Sequence, residues 1–168
     1  MSPPFTRLHK LALITPEHCR QIIASVESDG TEWRPATENR AVVAEHKFVD
    51  DTALHSIASA ALHSENEWWN FDLDNVEQLC VKKYTRGNYA KPHCDFGAPT
   101  ARKISMVCLL SDPADYEGGS LSFGNGQLGA HRQGCATIYP AFRMHEVSPV
   151  TAGVRYVLIT WARGADFR

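Results

Sequence analysis

Four side chains in the second half of this sequence are of types that could act together. The triplet His93-Cys94-Asp95 is followed much later by His145 and then by Arg155. In an extended segment alternate side chains share a face, so His93 and Asp95 can reach one point. His145 must come from a distant strand. Two imidazoles and one carboxylate on one side of a metal leave its other positions open, the facial arrangement of ferrous sites that hold further ligands. Each part also has a plainer reading. An H-x-D triplet arises often by chance, the chain holds eight histidines, and a lone strand arginine is usually solvated.

The spacing of the later residues shifts those odds. His145-Glu-Val-Ser-Pro-Val-Thr-Ala-Gly-Val-Arg155 reads as a hairpin, with Ser148-Pro149 and Ala152-Gly153 as its turn chemistry. Such a hairpin returns Arg155 beside His145 on the neighbouring strand. Arg155 also opens a period-2 face with Val157, Ile159 and Trp161. A guanidinium on an apolar strand face needs a negative partner, because leaving it unpaired costs roughly several kcal/mol. A bound carboxylate, matched by the bidentate fork, answers that need.

The elements that would position these residues fall into two halves. Thr15-Pro16-Glu17 is an N-cap with proline at the first helical position, and Cys19, Ile22, Ile23 and Val26 follow at helical spacing up to Asp29-Gly30. A second helix is predicted over Asp51 to Ser64, and Arg34 to Val49 reads as loop and short strand. From Trp68 onward the period becomes that of strands. The candidates are Glu77–Tyr84, Ile104–Leu110, Gly119–Phe123, His131–Gln133, Ala136–Tyr139, Met144–Val147 and Val154–Trp161, separated by Gly, Pro, Asn and Asp clusters. Many short strands with such turns suggest an all-β sandwich or barrel. The expected class is mainly β with N-terminal helices (α+β), built as an antiparallel jelly roll. One domain is expected over 1–168, with 1–70 as helical support and rim and 71–168 as the jelly-roll core.

Whole-chain properties agree with that plan. The 168 residues fit a single domain, and 43% apolar with 21% charged residues is ordinary for a globular protein. Seventeen basic against nineteen acidic residues form no basic arm or stripe, so nucleic acid is not an implied partner. The start Met1-Ser-Pro-Pro-Phe lacks the features of a secretory signal, and apolar runs such as Met106 to Leu110 are too short to span a bilayer. The five cysteines are scattered, with no C-x-x-C pair, which argues against a disulfide framework or structural zinc and favours a reducing, cytoplasmic setting.

Several stretches then fall in a recognisable order. They are Lys83-Tyr84-Thr-Arg-Gly87-Asn-Tyr89 leading into Pro92-His93-Cys94-Asp95-Phe96, then Cys108-Leu-Leu-Ser-Asp112-Pro113 and Tyr116-Glu-Gly118-Gly119-Ser-Leu121. Gly134-Cys-Ala-Thr-Ile-Tyr139-Pro140 and the run from His145 to Arg155 complete the set. From about Leu79 to Arg163, roughly half the chain, the sequence resembles the 2-oxoglutarate and Fe(II)-dependent oxygenase superfamily, and within it the prolyl-4-hydroxylase-like group. There are departures. Ser120 follows the double glycine where many relatives carry an acidic residue, and Leu109 and its neighbours lack a tyrosine that some protein prolyl hydroxylases use. Arg155 stands where collagen-type enzymes use lysine.

The resemblance implies a double-stranded β-helix (cupin-like) core and a set of roles. His93, Asp95 and His145 would ligate iron. 2-Oxoglutarate would take two further positions and leave one for O2, and its far carboxylate would meet Arg155. Tyr84, nine residues before His93, sits where relatives place a tyrosine bonded to the co-substrate; a core aromatic is the equal alternative. Trp161 would wall the pocket, and Ser105 would lend a hydroxyl to the same carboxylate. Ascorbate is a candidate reductant, and no catalytic residue beyond the metal ligands is required. The expected partner is a prolyl residue of a protein or peptide, with a free amino acid or other small molecule as the alternative. Phe96 to Lys103 and Arg34 to His46 are candidate lids. Three rivals remain at this point: a non-catalytic metal-binding jelly-roll sensor, a zinc hydrolase, and a β protein whose His and Asp are structural.

Overall fold

The computed structural model of the protein describes residues 7–36, 41–97 and 101–165. Local chemistry sets both helices. Thr15 caps α1 (Pro16–Ser28) by accepting the His18 amide at 3.2 Å, and Pro16 fills a position where a missing N–H is harmless. Asp51 caps α2 (Thr52–Glu65) by taking the Leu54 amide at 2.9 Å. One stripe of each is buried: Cys19, Ile22 and Val26 on the first, Leu54, Ala58 and Leu62 on the second.

Strand β1 (His9–Ala12) precedes the first helix, and β2 (Arg34–Pro35), β3 (Val42–Val43) and β4 (Glu45–Val49) lie between the two. Next come β5 (Leu73–Val76), β6 (Leu79–Tyr84), β7 (Tyr89–His93) and β8 (Arg102–Leu109). The last are β9 (Tyr116–Gly118), β10 (Leu121–Phe123), β11 (Cys135–Pro140), β12 (His145–Val147), β13 (Val150–Gly153) and β14 (Arg155–Gly164). The major sheet runs β1-β11-β8-β14-β6-β4-β2, with β5 added beside β14; the minor sheet runs β10-β12-β7-β3; β13 and β9 form a ribbon. Every named pairing is antiparallel.

Side-chain alternation splits the apolar residues into two clusters. Ile104, Met106, Cys108, Ile138, Leu158 and Ala162 pack with α1 and α2 on one face of the major sheet. Leu109, Val157, Ile159, Trp161, Tyr84 and Tyr139 face the other way and meet Ala90, Leu121, Phe123 and Val147 of the minor sheet. The architecture is therefore mainly antiparallel β, two facing sheets with helices on one outer side.

Some expectations need correction. No strand forms at His131–Gln133: Gly134 takes φ +78° and the Cys135 amide bonds Arg132 O at 3.1 Å, which makes a turn there. The strand expected from Gly119 starts only at Leu121, because Gly118 and Gly119 both adopt positive φ. The first seventy residues also give more than helical support, since β1 and β4 extend the major sheet and β3 edges the minor one. Of the two expected lids, 37–40 and 98–100 lie outside the described residues, while Arg102 and Lys103 belong to β8.

The hairpin from His145 to Arg155 is the main correction. β12 pairs with β10 and β7, β13 pairs with β9, and β14 lies in the major sheet. Gly153, at φ +69°, passes so close to Asp115 O that a Cβ would sit 2.0 Å from it, and there the chain crosses between sheets. Arg155 consequently faces His145 across the sandwich instead of lying beside it.

Candidate metal centre

His93 and His145 are directly paired residues on β7 and β12, with ring centroids 4.3 Å apart. Asp95 lies just past the end of β7, where the chain bends and the amides of Asp95 and Phe96 both donate to Ala141 O. The extended register assumed for the triplet ends at His93, and this bend carries Asp95 to the same point. The ligand atoms of His93, Asp95 and His145 all lie within 4.8 Å of one another, so the three could hold a metal ion.

The imidazoles are oriented for that task. His93 Nδ1 bonds Lys91 O at 2.7 Å and His145 Nδ1 bonds Arg143 O at 2.9 Å. A carbonyl accepts only, so each Nδ1 carries a proton, which leaves Nε2 as the atom each ring can present to a metal. Both Nε2 atoms lie 3.7 Å from an Asp95 oxygen, His93 toward Oδ1 and His145 toward Oδ2. That gap is too long for a direct hydrogen bond and suits donors arranged around a shared cation.

Asp95 is tuned to stay ionised. Burial alone pushes its carboxyl up, but the nearby His145, hydrogen bonds from Ser105 and Trp161, and His93 outweigh it, and the net direction is down. Ser105 Oγ donates to Oδ2 at 2.7 Å. Burial drives His145 the other way, against protonation, with Asp95 opposing. A carboxylate and a neutral imidazole are the forms a metal requires.

Arg155 is 4% exposed, and its Nε and Nη1 are buried with no hydrogen-bond partner among the described residues. Its stem lies against Gly119, where a Cβ would come within 2.7 Å of Arg155 Cδ, and its guanidinium stands 5.3 Å from the Tyr84 ring. The glycine pair of the sequence thus makes room: Gly118 for the Pro149 carbonyl, Gly119 for the arginine. Arg155, Tyr84, His145, Asp95 and Trp161 line one narrow chamber. A wider cleft of about 520 Å³ opens from it past His93, Phe96, Phe48, Lys82 and Arg102. Orphaned donors in a narrow chamber next to three metal donors fit a ligand that spans from a metal to a far carboxylate.

Ser105 and Trp161 are paired residues of β8 and β14. Ser105 pairs in register with Trp161 and Tyr139, at the metal end of the sheet, and its hydroxyl is engaged by Asp95. That bond orients the Asp95 carboxylate. Trp161 walls the chamber and also donates to Asp95, with the Arg102 guanidinium 3.6 Å over its ring. Tyr139 and Lys82 line the chamber but were not among the expected site residues. Inward alternation along β11 and β6 is the signal that marks them. All five cysteines are free thiols.

A jelly roll that gathers two imidazoles and a carboxylate over a buried, unpaired guanidinium defines a facial-triad metalloprotein. The chain belongs to the 2OG-Fe(II) oxygenase superfamily, whose model matches residues 79–163; the family uses Fe(II) and 2-oxoglutarate. A PKHD-type hydroxylase of Synechococcus sp. (strain CC9605) is 33% identical over 145 residues, 77% of this chain and 65% of that protein. The chain thus spans slightly less than two-thirds of that relative's length. A Pseudomonas putida prolyl-4-hydroxylase structure superposes with TM-score 0.75 at 20% identity, over 95% of this chain and 93% of that one. A viral collagen prolyl hydroxylase from Paramecium Bursaria Chlorella virus-1, in complex with 2OG, gives 0.73 at 15%, over 94% and 96%. At those identities the two structures speak for the fold. Among the described residues no helix is long and apolar enough to cross a membrane.

Proposed function

We propose that this protein is an Fe(II)- and 2-oxoglutarate-dependent hydroxylase that acts on a prolyl residue of a protein or peptide, in a reducing, cytoplasmic setting. One observation carries the reading: a buried guanidinium with unmet donors shares a chamber with His93, Asp95 and His145. A catalytically silent metal module or a hydrolase has no use for that charge, since burying it unpaired is costly. The prolyl substrate is drawn by analogy from the PKHD-type relative and the prolyl hydroxylase structures.

In this reading His93, Asp95 and His145 hold ferrous iron, and Arg155 takes the far carboxylate of 2-oxoglutarate. When bound, the pair supplies O2 activation coupled to oxidative decarboxylation of the co-substrate, chemistry that belongs to the cofactor. The chain's own residues position and exclude. Ser105 and Trp161 keep Asp95 charged and aimed, the two backbone carbonyls fix the imidazole tautomers, and Tyr84 lines the co-substrate's end beside Arg155. Val147, Val157 and Ile159 keep the chamber walls apolar and water out.

The test is anaerobic reconstitution with Fe(II), then addition of O2, 2-oxoglutarate and a panel of prolyl peptides and free amino acids. Succinate should form in step with a hydroxylated prolyl peptide. Hydroxylation confined to a free amino acid would replace the substrate class, and no succinate under any condition would remove the enzyme.

A further inference from the structure

Three lysines sit on the adjacent strands β4 and β6, and their surroundings differ by face. Lys47 points outward, where its Nζ meets Asp29 at 2.8 Å and Val26 O at 2.6 Å. Lys83, also outward, meets Glu27 at 2.9 Å and lies 4.9 Å from the Trp33 ring. Lys82, between them in sequence alternation, points inward. It lines both the narrow chamber and the wider cleft, and so stands at their junction. Its Nζ is 5.9 Å from the Trp161 ring, and among the described residues it has no hydrogen bond or ion pair. A partly buried ammonium without an anion forfeits solvation that no described residue replaces.

The charges nearby do not supply the missing partner. Glu77 is taken by Arg102 through two bonds, at 2.8 and 2.7 Å. Asp95 faces the metal position. If ferrous iron and the 2-oxoglutarate dianion bind as proposed above, their charges together with those of Asp95 and Arg155 cancel, and Lys82 stays unanswered. Among the described residues no further carboxylate answers Lys82, which leaves the cleft as the source of an anion, and the cleft is where the molecule to be oxidised must enter. Trp161 hydrogen-bonds Asp95 and its ring lies 5.9 Å from Lys82 Nζ, so a single side chain stands between the ammonium and the metal ligands.

We infer that Lys82 is a specificity residue that binds a carboxylate of the prime substrate, carried on or directly beside the residue that is oxidised. The inference rests on the hydroxylase reading and adds a charge requirement to it. Two sources share this chemistry: the terminal carboxylate of the target prolyl itself, or an acidic side chain next to it.

Calorimetric titration of anaerobic protein loaded with Mn(II) and 2-oxoglutarate separates them without turnover. One pair of probes is N-acetyl-L-proline and its amide; the other is acetyl-Pro-Asp-amide and acetyl-Pro-Asn-amide. In at least one pair the acid should bind about tenfold tighter than its neutral partner, as a charge-assisted hydrogen bond allows, and that pair identifies the source. Lys82→Met should abolish the ratio, Lys82→Arg should retain most of it, and both should keep 2-oxoglutarate affinity within about threefold of the parent. Equal binding within both pairs, absence of binding by all four probes, or a ratio that survives in Lys82→Met would overturn the inference. A large loss of 2-oxoglutarate affinity in Lys82→Met would assign the lysine to the co-substrate and overturn it as well. Failure of the unaltered protein to bind 2-oxoglutarate at all would instead remove the hydroxylase reading beneath it.

Discussion

Strand β14 presents two different proteins on its two faces. Toward the helices it offers Leu158, Thr160 and Ala162, each 0% exposed, and these pack among Met106, Cys108 and Leu54 with the one hydroxyl, Thr160 Oγ1, bonded to Glu77 O at 2.7 Å. Toward the minor sheet it offers Arg155, Val157, Ile159 and Trp161, where a charge is buried with two unmet donors. The same backbone hydrogen bonds serve both faces. One is filled and satisfied by the chain alone; the other is left incomplete in a way that a ligand can complete. Stability and function can therefore be altered separately by residues one position apart.

The most severe break on the site side is His145→Ala. It removes one of three donors, and metal affinity should fall by about a thousandfold, beyond the ten- to hundredfold typical of groups that only orient ligands. Equilibrium dialysis reads that loss, and the metal-free protein should melt close to the parent. On the filled face, Leu158→Ala should lower unfolding free energy by about 3 kcal/mol through a cavity among 0%-exposed neighbours. Urea unfolding measures it, and metal affinity in the folded protein should hardly change. If instead His145→Ala unfolds the chain while Leu158→Ala is mild, the division between faces is wrong.

Arg155→Met sharpens the contrast because its two effects have opposite sign. Losing the guanidinium should weaken 2-oxoglutarate by about a hundredfold, while removal of an unpaired buried charge should leave the ligand-free protein equally stable or about 1 kcal/mol more so. Titration of the Mn(II)-loaded protein and urea unfolding without ligand report the two. Metal affinity should survive; its loss in parallel would contradict the anchor role. Ser105→Ala is milder still. Asp95 keeps the Trp161 bond, so metal affinity should drop by only about tenfold.

Much of this was legible in the residues. Thr15-Pro16 marks the start of the first helix because capping is local chemistry, and that cap is found bonded as expected; Asp51, read as the first residue of the second helix, is its cap. The period-2 face of Arg155, Val157, Ile159 and Trp161 identifies an inward row for the same reason. What the sequence hid is non-local. Ser148-Pro149 and Ala152-Gly153 look like hairpin turns whether the strand returns to its neighbour or crosses to the opposite sheet; the pairing of β13 with β9 decides it, and no local signal encodes that partner. The bond from Ser105 to Asp95 was not foreseen, because its row-mates Tyr139 and Trp161 come from strands whose register only the folded sheet fixes. Lys82 reads as one more charge in Lys82-Lys83 until the sheet separates the two faces.

The outward lysines provide the smallest and last test of the comparison. Asp29, hydrogen-bonded by Lys47 first and then by the Thr31 amide and hydroxyl, has its carboxyl held at about 2, below the ordinary 3.8. A depressed folded value means the unfolded chain binds protons more readily, so the contribution of this pair to stability is full above about 4 and fades as pH falls toward 2. Asp29→Asn removes it. The parent should therefore melt slightly above the variant at pH 6, and thermal scans at successive pH values should show that gap closing between about pH 4 and pH 2. The effect is small because the carboxylate is solvent-accessible and screened. A gap of constant size down to pH 2 would mean that Lys47 is held by the Val26 carbonyl alone, and the outward lysines would then differ from Lys82 in solvation but not in having an anionic partner that matters.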